Sequence, residues 1–67
     1  MAKIQLNGCK LEISNKLSVV SLLKKHKINS KKIAVELNGI IINRNKYKST
    51  YLKNKDKIEI VHFIGGG

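Results

Sequence analysis

The dipeptide Asn-Gly occurs twice in this chain, at Asn7-Gly8 and Asn38-Gly39, each time between short runs of alternating residues. Asn and Gly both tolerate positive φ, which a tight two-residue hairpin turn demands of its central positions. Around the first turn, Ile4 and Leu6 alternate with Lys3, Gln5 and Asn7, and Leu11 and Ile13 with Lys10 and Glu12. That spacing predicts a β-hairpin over residues 3–14. Around the second, Ile33, Val35 and Leu37 alternate with Ala34 and Glu36, and the apolar run Ile40-Ile41-Ile42 follows the turn. Two hairpins therefore supply four strands.

Between them the period changes. Val19, Leu22, Leu23 and His26 recur at i, i+3, i+4 and i+7 behind Ser18, a good N-cap. Leu17 precedes the cap, where it can staple onto Leu22, and Lys24, Lys25 and Lys27 favour the negative end of the helix dipole. A helix over 19–27 is predicted, with a loop beginning at Asn29-Ser30. Residues 43–52 are polar, with Tyr47, Tyr51 and Leu52 as apolar anchors and a single helical turn expected. Ile58 to Ile64 reads as the last strand. One helix across one mixed sheet of four to five strands is an α+β arrangement of two layers around one core. Two hairpins flanking a helix, with the last strand inserted in the sheet, match the ubiquitin-like β-grasp, expected over residues 1–64 with 65–67 as a flexible glycine tail.

Sixty-seven residues make one domain, and a chain this short buries only about 60% of its unfolded surface. That is too little for an enclosed active site, so a carrier, binding module or subunit is expected rather than an enzyme. No apolar run approaches the roughly 18 residues of a membrane span, the N-terminus lacks a signal-peptide core, and the single cysteine needs no oxidising compartment. These features predict a cytoplasmic chain without a membrane partner, monomeric when free. The net charge of +10, from fourteen basic against four acidic residues, suits a nucleic-acid binder. Thirteen of the fourteen are lysines scattered from Lys3 to Lys57, however, and Ile, Lys and Asn fill 30 of the 67 positions. Arg44 is the only forked base reader, and one Phe and two Tyr offer few stacking platforms. A solvated lysine surface that steers an acidic protein partner fits better; a small basic nucleic-acid-binding domain is the alternative.

The last strand divides by parity. Ile58 and Ile60 share a face with His62 and Ile64, and Glu59 shares one with Val61 and Phe63. With Glu59 in water, Val61 and Phe63 form an exposed docking patch; the alternative is that residues 43–52 cover that end of the sheet. His62 has no companion at metal-ligand spacing and reads as a histidine at the core edge; no metal site is expected. Cys9, just after the first turn, is expected to be accessible and without a reactive role. Three glycines, Gly65, Gly66 and Gly67, close the sequence. Without side chains they span about 10 Å and pass a narrow channel, so such a tail can carry a terminal carboxylate into a partner's active site. An idle tail is the alternative.

These residues resemble the ThiS family of sulfur carriers in thiamine biosynthesis. The resemblance runs through residues 17–23, Val35-Glu36-Leu37-Asn38-Gly39, Ile42-Asn43-Arg44 and residues 52–56, and is most specific over residues 58–67, which read IEIVHFIGGG. Lys55 stands where the family usually has Gly before Asp56, so that turn is expected to use Asn54 or another geometry. The resemblance implies a protein that catalyses nothing and binds no cofactor. A ThiF-like adenylating enzyme would spend ATP to make an acyl-adenylate at Gly67. A persulfide supplied through a cysteine desulfurase would turn it into a thiocarboxylate, and a ThiG-like thiazole synthase would take the sulfur. Gly65 and Gly66 would give reach, and Val61 and Phe63 would dock. Relatives that send sulfur to molybdopterin or tRNA, and ubiquitin-like modifiers, share the fold and tail.

Overall fold

The computed structural model describes residues 1–62. Its strands are β1 (Ala2–Leu6), β2 (Cys9–Ile13), β3 (Ile33–Leu37), β4 (Ile40–Ile42) and β5 (Lys57–His62), with one helix, α1 (Val19–Lys25), and single 3₁₀ turns at Ser30–Lys32 and Arg44–Lys46. The order across the sheet is β2-β1-β5-β3-β4. β5 thus lies in the middle, parallel to β1 and antiparallel to β3, with the two Asn-Gly hairpins on its flanks. This is the expected α+β, β-grasp arrangement.

One face of the sheet packs on the helix. Ala2, Ile4, Ile13, Ile33, Val35, Ile58 and Ile60 from the strands close around Val19, Leu22 and Leu23, with Tyr47 and Leu52 completing the cluster. Burying each such aliphatic chain contributes about 1.5–3 kcal/mol, which makes this small cluster the main stabilising term. Leu17 is partly buried against it.

The helix ends are built from local chemistry. Ser18 Oγ accepts from Ser21 N at 3.1 Å, the expected N-cap. Val19 N donates to Thr50 O and Val20 N to Tyr47 O, so residues 43–52 satisfy helix amides that would otherwise lack partners. At the other end the helix stops at Lys25, two residues before the expected limit. Lys27 takes φ 57°, with Ile28 N donating to Leu23 O and Lys27 N to Lys24 O. That is a Schellman closure with lysine where glycine is usual. His26 becomes the C-cap and is exposed, not on the apolar face.

Three further expectations change. Tyr51 is 59% exposed because it stands opposite Ser18 in a short antiparallel bridge, closed by Val19 N to Thr50 O and Leu52 N to Leu17 O, whose alternation turns Leu52 inward and Tyr51 outward; only Tyr47 and Leu52 anchor the segment. His62 is exposed although it pairs with the buried Ile33; within β5 the core-facing parity is buried at Ile58 and Ile60. Lys55 itself adopts φ 73°, so the turn keeps its left-handed residue at this position instead of passing it to Asn54 or changing geometry. Lys55 N donates to Lys3 O at 2.7 Å, and Asn54 Oδ1 accepts from Lys3 N at 2.9 Å, tying the turn to β1.

Candidate functional site

The functional residues expected from the sequence cluster at the end of β5, so its anchoring decides how the chain leaves the domain. β1 pairs with β5 only through Gln5 with Lys57 and Leu6 with Ile58, then turns away at Asn7. The Asn7 side chain continues the ladder: Oδ1 accepts from Ile60 N at 2.7 Å and Nδ2 donates to Ile60 O at 3.4 Å. Asn7 N also donates to Ile58 O at 2.9 Å. On the other flank, Asn38 Oδ1 accepts from Lys57 N at 2.8 Å, and Asn38 N donates to Lys57 O. Asn38 Nδ2 donates to Asp56 Oδ1 at 3.0 Å, while Asp56 Oδ2 accepts from Lys53 N at 2.9 Å. Asp56 is 4% exposed, so a buried carboxylate is satisfied by both oxygens.

Each Asn-Gly turn therefore has two jobs. The asparagine takes the left-handed conformation, at φ 50° for Asn7 and 51° for Asn38, and its amide holds the central strand. Sequence reasoning finds the first job and misses the second. The signal was present in that both turns use Asn, whose side chain carries a donor and an acceptor.

The outer face of the sheet is open beside the exit of β5. Val61 is 55% exposed and pairs with Ala34; Glu59 pairs with Glu36, which in turn pairs with Ile41, 69% exposed. Residues 43–52 pack at the helix N-terminus and onto Leu17, leaving Val61 in solvent. Two carboxylates directly opposite each other repel, and they hold half of the chain's four acids beside its exposed apolar residues. The structure thus brings together Val61, Ile41 and the Glu36–Glu59 pair. Phe63, also expected in the patch, and the tail Gly65, Gly66 and Gly67 lie outside the described residues.

Cys9 is exposed. Among the described residues no group of three or more His, Cys, Asp or Glu stands where it could hold a metal ion, and no helix is long and apolar enough to cross a membrane. What this end of the molecule offers is a rigid strand, an apolar and acidic shoulder, and a sequence that continues into glycines.

Comparison with known proteins places these features. The model of the ThiS family matches residues 4–67. The sulfur carrier protein ThiS of Bacillus subtilis is 37% identical over 65 residues, 96% of this chain and 98% of that one. A thiazole synthase of Paramagnetospirillum magneticum is 38% identical over 65 residues, 97% of this chain but 20% of that longer protein. The crystal structure of the thiamine biosynthesis protein ThiS from Geobacter metallireducens superposes with a TM-score of 0.85 at 31% identity, covering 97% of this chain and 99% of that one.

Proposed function

The chain belongs to the ThiS family, and from that membership we propose that it carries sulfur on the carboxylate of Gly67 for building the thiazole of thiamine. Membership makes it a small ThiS-type sulfur carrier of thiamine biosynthesis rather than an enzyme. The observation that carries the finer reading is the glycine sequence that follows a strand held on both flanks, beside an open apolar shoulder.

The chemistry needs activation. A carboxylate resists nucleophiles, because resonance and negative charge oppose attack. A ThiF-like partner would transfer AMP from ATP to the Gly67 carboxylate and release pyrophosphate. The terminal sulfur of a persulfide, delivered through a cysteine desulfurase, would attack the acyl carbon and expel AMP. Reduction of the resulting acyl disulfide by a thiol would leave the thiocarboxylate. A ThiG-like thiazole synthase would receive that sulfur, and the fusion-sized match within a thiazole synthase supports this partner. The need for ATP and for a thiol reductant suits the reducing cytoplasm. The carrier itself provides no acid, base or metal. Its contribution is position: Val61 and Phe63 dock, Glu36 and Glu59 receive a cationic side chain of the partner, and Gly65 and Gly66 reach into the active site.

The test is intact mass after incubation with ATP, an adenylating partner and a sulfur donor. Exchange of oxygen for sulfur is expected to add about 16 Da at the last residue, only when ATP and donor are both present. The gain should survive Cys9→Ser, because a side-chain persulfide would add about 32 Da instead. Removing Gly66 and Gly67 should abolish it without moving the melting temperature. Val61→Asp should slow it about tenfold or more at unchanged melting temperature, as loss of a docking anchor does. A 16 Da gain that persists after the deletion would place the change elsewhere, as at an oxidised Met1, and end the proposal.

A further inference from the structure

Steering an acidic partner asks only for a net charge of +10, not for any particular placement of the lysines, and their placement is uneven. The outer face of the sheet is not uniform in charge. At the β3–β4 side it carries Glu36 and Glu59, whereas at the β2–β1 side it carries lysines. In register, Lys10 of β2 stands opposite Gln5 of β1, and Gln5 stands opposite Lys57 of β5. Neighbouring strands lie about 4.8 Å apart, so Lys10 and Lys57 are separated by about 10 Å with Gln5 between them. Lys3 lies two residues along the same face of β1, and the left-handed turn brings Lys55 beside it through the bond from Lys55 N to Lys3 O. These four lysines, with Ile4, Gln5 and Asp56, line a groove of about 340 Å³. Gln5 is half-buried at its centre.

Two acids approach this groove. Glu12 pairs across the strands with Lys3, and Asp56 has both oxygens committed to Asn38 and Lys53. Four ammoniums against two carboxylates leave a local charge of +2, so a single carboxylate is a poor match. Lys3 and Lys10 stand diagonal to each other across β1 and β2, within reach of long side chains, and a multivalent anion would relieve the repulsion between their charges. The groove's size is at the low end for small-molecule sites, each lysine brings three donors on a flexible stem, and Gln5 adds an amide.

We propose that this groove is an anion site that takes a small phosphate-bearing molecule with two or more negative charges. It lies by Lys57, at the opposite end of β5 from the glycine tail, and stands independently of the sulfur chemistry. A small ligand is favoured over a nucleic acid because the lysines ring one recess instead of tracking a strand.

The test uses the full chain and inorganic pyrophosphate, followed by amide chemical shifts at ionic strength held constant with chloride. Lys3, Gln5, Lys10 and Lys57 are expected to move together on one saturating curve. Gln5→Glu places a carboxylate at the centre and is expected to weaken binding at least tenfold. In the absence of pyrophosphate the same variant is expected to raise the melting temperature by about 2–4 °C, the size an exposed ion pair gives in so small a domain. Asn45→Asp, with the same net charge at an exposed site elsewhere, should change neither. ATP binding more tightly than tripolyphosphate would mark the ligand as a nucleotide, and equal binding would mark it as a bare phosphate chain; both support the site. Shifts scattered over lysines around the whole molecule would overturn it. So would equal weakening by Gln5→Glu and Asn45→Asp, or binding by single-stranded RNA alone.

Discussion

The two Asn-Gly turns look interchangeable in sequence, yet they hold the central strand by different means. The Asn38 turn sits beside an antiparallel neighbour with five paired residues, from Ile33 with His62 to Leu37 with Ile58. Its side chain finishes a ladder that is already long and adds the buried carboxylate of Asp56 to it. The Asn7 turn sits beside a parallel neighbour with only two paired residues. There the side chain replaces a ladder that has run out, binding Ile60 where β1 no longer reaches. One dipeptide thus serves as a lock on one flank and a strand extension on the other. The lesson is that a turn residue chosen for its φ can also be selected by what its side chain meets in a distant part of the chain.

Breaking the lock should cost most. Asn38→Gly keeps a residue at ease with positive φ but strips two hydrogen bonds, one of them to a buried charge. Such bonds contribute about 1.5–3 kcal/mol each when one partner is charged and about 1 kcal/mol otherwise. Urea denaturation is expected to show a loss of about 2–4 kcal/mol, a large share of the stability of a domain this size. A loss below about 1 kcal/mol would mean that water replaces the amide and that the lock is incidental.

Breaking the extension should cost less and be felt locally. Asn7→Gly removes the short bond from Ile60 N and the long one to Ile60 O, for about 1–2 kcal/mol in all. Its distinctive readout is hydrogen exchange. The Ile60 amide should lose more protection than the Val35 amide, because β3 still holds the other edge of β5. Uniform loss across the sheet would give Asn7 the same global role as Asn38.

The smallest effect has the opposite sign. Lys55 holds φ 73° in the turn that leads into β5, a conformation that costs a residue with a side chain about 1–2 kcal/mol. Lys55→Gly removes that strain while adding freedom to the unfolded chain, worth about 0.5–1 kcal/mol the other way. A net gain of up to about 1 kcal/mol is expected, read as a modest rise in melting temperature. A fall would show that the Lys55 stem packs on its surroundings.

Much of this body was legible beforehand because its elements announce themselves locally. Alternation around Asn7-Gly8 and Asn38-Gly39 locates both hairpins, and Ser18 ahead of Val19, Leu22 and Leu23 locates the helix and its cap. Tertiary partners leave weaker marks. Nothing in the neighbours of Asn7 tells that its amide meets Ile60, 53 residues away. Tyr51 reads as an anchor because aromatics are usually buried, but the bridge opposite Ser18 turns Leu52 inward and so leaves Tyr51 facing outward. His26 fits the helical period by number, yet the turn at Lys27 ends the helix before that period applies. At the candidate site, parity along β5 predicts the exposure of Val61. The facing pair Glu36 and Glu59 becomes visible only once the register of β3 against β5 is known.

The proposed carrier role requires that sulfur be handed on, not merely attached. Thiocarboxylated chain, freed from its activating partner and from ATP, should be mixed with thiazole synthase and its other substrates, and its intact mass followed with time. The added 16 Da is expected to disappear as thiazole forms, in equal amounts, with the chain returning to the mass of the acid and Gly67 intact. A chain that keeps its sulfur while thiazole forms, or that becomes joined to a lysine of another protein through Gly67, would contradict it.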